Sequence, residues 1–151
     1  MFDVNLSNTE NYFESKNYAS GKKLIVSDLV WGKLGMSICY DLRFPNLYRS
    51  LGRKGAHFFS IPAAFTFTTG KAHWHSLIRA RAIENGCFVF APAQCGIHDN
   101  GRRTYGHSMI VNPWGKVLVE AKYDKKQVIS KTINISEVQE YRKKIPSMTK
   151  F

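Results

Sequence analysis

Gly35-Met36-Ser37-Ile38-Cys39-Tyr40-Asp41-Leu42-Arg43-Phe44-Pro45 joins an apolar, strand-like run to a helix start within a few residues. Pro45 suits the first turn of a helix, where its missing N–H costs nothing. Upstream, Gly32 and Gly35 punctuate the apolar run that ends at Ile38. The stretch therefore predicts a strand, a sharp turn at Cys39-Tyr40-Asp41, and a helix reaching Gly52 or Gly55. Such an elbow pushes a nucleophile out of a sheet and brings the next backbone N–H toward a reacting carbonyl. A cysteine beside a strand can equally be a small buried hydrophobe.

Working outward, His57 to Ile61 predicts a short strand stopped by Pro62. Thr68 or Thr69 can cap a helix in which Trp74, Leu77, Ile78, Ala82 and Ile83 recur at helical spacing, and Gly86 ends it. Cys87-Phe88-Val89-Phe90-Ala91 predicts a strand buried on both faces. A polar loop is expected from Gly96 to Thr104. Ser108 to Val111 and Lys116 to Val119 flank Asn112-Pro113-Trp114-Gly115 as a β-hairpin. Val128 to Ile133 predicts a last strand, and Ser136-Glu137 opens a helix stopped before Pro146. Residues 1 to 23 are polar and aperiodic, an extended arm or loop. Strands alternating with helices predict an α/β fold.

The 151 residues allow one domain with a real core. A hydrophobic content of 44% with 13% aromatic excludes a disordered chain. No apolar run is long enough for a membrane span, and the start has no leader-like pattern; a soluble cytoplasmic protein is the expectation. Three cysteines, Cys39, Cys87 and Cys95, without a CxxC pair, support neither a disulfide scaffold nor a structural zinc site. The net charge of +11 raises a basic nucleic-acid-binding module as an alternative, but the charge is scattered and no recognition motif accompanies it. An acidic partner chain would also balance it.

A nucleophilic thiol needs an activator, because at an ordinary pKa of about 8.5 little of it is thiolate. His57, His73, His75, His98 and His107 are available, yet their spacing selects none of them, and His73 and His75 point to different faces of one helix.

Four segments in order resolve the choice by resemblance: Gly35 to Pro45; Pro62-Ala63-Ala64-Phe65-Thr66 through Thr69-Gly70-Lys71-Ala72-His73-Trp74; Arg79-Ala80-Arg81-Ala82-Ile83-Glu84-Asn85; and Tyr105-Gly106-His107-Ser108 through Pro113-Trp114-Gly115. Together they resemble the nitrilase superfamily of carbon–nitrogen hydrolases, most closely its deaminated glutathione amidase and omega-amidase branch. The resemblance implies an αββα sandwich that pairs with a second copy as a homo-oligomer. It also implies a Glu–Lys–Cys triad, with Cys39 attacking the carbonyl of a small-molecule amide to form a thioester acyl-enzyme. The Tyr40 N–H is the implied oxyanion donor and Glu14 the supporting carboxylate; Arg43 and Thr66 are pocket candidates beside the motif. No cofactor and no metal is implied.

In that family the triad lysine lies in a Lys-x-His segment before a Leu/Met-Phe-Asp-Val run, and the base glutamate lies further upstream. Here the run is Met1-Phe2-Asp3-Val4, so residues 1–151 are expected to be the C-terminal part of the domain. Lys16, Lys22, Lys23 and Lys33 match no motif position. The expectation is an inactive isolated chain, completed by a separately encoded N-terminal half, or a degenerate non-catalytic remnant.

Overall fold

A computed structural model describes residues 16–148 in full and the backbone of residues 3–5 and 11–13. Strands β1 (Asp3–Asn5) and β2 (Asn11–Phe13) form a small antiparallel pair within the expected arm. Strands β3 (Val26–Leu29), β4 (Gly32–Met36), β5 (Phe58–Ser60), β6 (Phe88–Ala91), β9 (Met109–Val111) and β10 (Val117–Glu120) form a six-stranded sheet in the order β10-β9-β6-β5-β4-β3. The remaining pair, β7 (Cys95–Ile97) and β8 (Arg103–Tyr105), is antiparallel. The helices are α1 (Pro45–Arg53), α2 (Phe67–Asn85) and α3 (Ser136–Lys144). The protein is α/β.

The three central strands β4, β5 and β6 are parallel, with Gly35 opposite Phe59 and Phe59 opposite Val89. Parallel neighbours need crossovers, and α1 and α2 supply them. Side chains alternate across the sheet. Phe59, Val89, Ala91 and Val111 join Leu51, Trp74 and Ile78 in the larger core cluster, while Phe58, Phe88 and Val138 gather in a smaller one.

Helix α2 buries Thr69, Gly70, Trp74, Ile78, Arg81, Ala82 and Asn85. That stripe keeps the expected period but shifts its membership: Ile83 is exposed, and Arg81 and Asn85 lie inside. The helix starts one residue before Thr68, with Thr66 at its N-cap. Gly86 ends it in the left-handed region (φ 56°) that a glycine adopts without strain.

Two expectations fail. Val128 to Ile133 is not a strand; Ile133 instead packs against the smaller cluster, burying its side chain without a ladder partner. The polar stretch 96–104 is largely the β7–β8 hairpin, whose polar sequence hides the pairing of Cys95 with Tyr105 and Ile97 with Arg103. The expected Asn112–Gly115 turn does close β9 onto β10, with the Asn112 Oδ1 accepting from the Trp114 and Lys116 N–H groups.

Candidate active site

The carboxyl ends of β4, β5 and β6 lie side by side, the edge at which parallel sheets present their chemistry. β4 ends at Met36 and the chain passes through Ser37 and Ile38 into a short 3-10 helix, Cys39–Arg43. Ser37 is buried and anchors the turn: its hydroxyl lies 2.7 Å from the Tyr48 hydroxyl and donates to the Ser60 carbonyl at 3.0 Å. Burial raises the Tyr48 phenol far above its usual range, so it stays neutral. The Asp41 carboxylate reaches back to accept the Ile38 N–H at 2.9 Å.

Cys39 stands at the tip of this elbow with φ 48°, in the left-handed region that non-glycine residues seldom occupy. Its N–H donates to the Pro62 carbonyl at 2.8 Å, which ties the elbow to the end of β5. The side chain is half-buried. The other two cysteines differ. Cys87 is fully buried, and burial pushes its thiol up to about 11. Cys95 lies on β7.

The backbone of the segment after Pro62 is fastened at successive residues. The Ala63 N–H donates to the Pro92 carbonyl, the Tyr105 N–H to the Phe65 carbonyl, and an Arg102 Nη to the Ala64 carbonyl at 2.7 Å. Arg43 follows the elbow, its guanidinium carbon 5.1 Å from the centroids of both the Tyr40 and Phe65 rings and its Nη1 3.2 Å from the His73 Nδ1. The Thr66 hydroxyl lies 2.7 Å from that of Thr69. Cys39, Tyr40, Arg43 and Phe65 thus belong to one neighbourhood. Thr66 belongs to the start of α2, and Glu14 lies outside the described residues.

The Arg79–Asn85 motif is scaffolding for this edge. Arg79 Nε donates to the Gly115 carbonyl, and the buried Arg81 donates from Nε to the Leu42 carbonyl and pairs with Glu84. Sequence reasoning did not find the meeting of His75, His107 and Glu120, three residues from three elements. Only the tertiary fold brings them together; no spacing in the chain announces it.

A family model described as carbon–nitrogen hydrolase matches residues 2–143. A deaminated glutathione amidase of Synechocystis is 46% identical over 150 residues, which are 98% of this chain and 55% of that protein. The crystal structure of the Caenorhabditis elegans NitFhit protein superposes with a TM-score of 0.88 at 40% identity, over 100% of this chain and 37% of that one. An amidase from Nesterenkonia, solved as a mutant with acrylamide added to its active-site cysteine, superposes with a TM-score of 0.67 at 28% identity, over 74% of this chain and 43% of that one. The chain spans about half the length of the curated relatives it matches. On the family match and the shared fold, the chain belongs to the carbon–nitrogen hydrolase family.

Proposed function

We propose that Cys39 is the nucleophile of an amidase acting on small non-peptide amides. The observation that carries this reading is the elbow itself: a half-buried thiol on a left-handed residue at the carboxyl edge of a parallel sheet. Backbone strain of this kind costs on the order of 1–2 kcal/mol, and it concentrates where a reactive group must be presented. The deaminated glutathione amidases among the relatives support the reaction class, as does the cysteine adduct of the Nesterenkonia amidase.

In the proposed reaction a base takes the thiol proton and the sulfur attacks the amide carbon. The carbonyl oxygen becomes an oxyanion that accepts from the Tyr40 N–H. The C–N bond breaks, ammonia or an amine leaves with a proton, and water then hydrolyses the thioester to regenerate the thiol. Glu14 supports the site as a second carboxylate. Arg43 and Thr66 bind the substrate, Arg43 through an anionic group. The base glutamate and the lysine match no position in residues 1–151, so the reaction needs both groups from outside these residues. The whole domain pairs with a second copy. A reducing compartment, the cytoplasm, keeps the thiol usable.

The test is co-expression with the N-terminal half of a family amidase, followed by intact-mass analysis after incubation with small amides. An acyl adduct is expected on Cys39, absent in Cys39→Ala and absent without the complementing half. A soluble complemented protein that never acylates would establish the degenerate remnant instead.

A further inference from the structure

His75 on α2, His107 in the turn between β8 and β9, and Glu120 at the end of β10 converge on one point. The His75 Nε2 lies 3.0 Å from the Glu120 Oε1, and the His107 Nδ1 bonds to that same oxygen. All three donor atoms lie within 4.8 Å of one another. One carboxylate oxygen thus meets two imidazole nitrogens.

Each member is held in place. His107 adopts φ 58°, a left-handed conformation for a non-glycine residue. Its ring stacks on Tyr105 at 4.2 Å and lies near-parallel to Tyr123 at 5.9 Å. Its carbonyl accepts the Trp74 indole N–H at 2.9 Å, which fixes the turn against α2. The His75 ring meets Tyr105 and His107 edge-on, at 5.9 and 5.2 Å. The histidines are half-buried and Glu120 is exposed, so an ion has a path in. His107 also lines an open cavity of about 620 Å³.

From this arrangement we propose that His75, His107 and Glu120 form a binding site for one divalent transition-metal ion of the zinc class. Two imidazoles and one carboxylate are a borderline donor set that suits Zn²⁺, with water in the remaining position. Each imidazole would coordinate through the ring nitrogen that now faces Glu120. Lys122, Lys125 and Lys126 line the same cavity, and their charge opposes a cation there. The ion cross-links α2 to the β8–β9 turn and to β10. It takes no part in the thioester chemistry, and this inference does not rest on the role of Cys39.

The experiment is titration of the metal-free protein with Zn²⁺ by calorimetry and with Co²⁺ by visible absorption. One ion per chain is expected, with ligand-field bands for Co²⁺ and a melting temperature that rises with Zn²⁺. Glu120→Gln and His75→Ala should each weaken binding at least about a hundredfold, while Cys39→Ala leaves it unchanged. No stoichiometric binding to the unaltered protein overturns the proposal, since that measurement depends on no variant. Binding that survives both substitutions, or that vanishes in Cys39→Ala, overturns it as well.

Discussion

Arg81 Nε donates to the carbonyl oxygen of Leu42 at 2.9 Å, and both residues are buried. The bond fastens the C-terminal part of α2 to the short helix that begins at Cys39. The same guanidinium pairs with Glu84 at 3.0 Å and lies over the Tyr48 ring. Arg81→Met keeps the length but leaves the Leu42 carbonyl without this donor, and should cost about 2–3 kcal/mol. Arg81→Lys, with one point charge in place of a fork, should recover less than half of that. Urea unfolding midpoints of the three proteins check both expectations.

Cys39 at φ 48° predicts an inverted ranking of two small substitutions. In an ordinary strand or helix, glycine is less stable than alanine by roughly 0.5–1 kcal/mol. In the left-handed region the alanine Cβ meets the following carbonyl and the order reverses. Cys39→Gly should therefore be more stable than Cys39→Ala by about 1 kcal/mol. Both lack the thiol, so lost packing of sulfur cancels in the comparison. Thermal melts that put alanine ahead would show that the elbow is not strained in this way.

The His57 Nδ1 accepts the Lys33 N–H at 3.0 Å, joining β4 to the start of β5. Burial, then the charges of Arg142 and Lys33, lower the imidazole below its ordinary value. As pH falls, the unfolded chain therefore takes up the proton first. This contribution to stability is complete above about pH 6.5 and is lost as pH drops from there through the lowered folded-state value. His57→Asn keeps an acceptor in place of Nδ1 and does not titrate. Its melting temperature should fall less steeply than that of the parent over the same acid range.

The elements that the sequence exposed are those whose own periodicity and stops decide them. Pro45 and Gly86 bound their helices where expected, and Asn112 to Gly115 closes its hairpin through local bonds. What stayed hidden depends on partners far away in the chain. β7 and β8 are polar strands that pair with each other, and Ile133 hides its side chain without joining a ladder. Arg81 and Asn85 look solvent-facing by type, yet lie inside, where the Arg81 guanidinium and the Asn85 amide nitrogen find backbone and side-chain partners. The position of Cys39 at an elbow was legible, because strand, turn and proline are contiguous. The convergence of His75, His107 and Glu120 was not, since 45 residues separate its ends.

Gly70 tests the contact between α2 and β8. A Cβ placed on Gly70 would lie 2.3 Å from the Tyr105 Cβ and 2.4 Å from its Cγ, with Tyr105 itself nearly buried. Helix propensity alone says that Gly70→Ala stabilises the protein by about 1 kcal/mol. The close approach says the opposite, because a backbone-linked Cβ cannot swing away, and overpacking of this kind costs typically about 1–3 kcal/mol. The expected net change is a loss of about 2 kcal/mol. Ala72 is exposed on the same helix and serves as the propensity control: Ala72→Gly should lose about 1 kcal/mol. Substitutions in opposite directions would then both destabilise, a pattern that propensity cannot produce. If Gly70→Ala instead raises the melting temperature, α2 does not sit this close to Tyr105, and the placement of His75 beside His107 weakens with it.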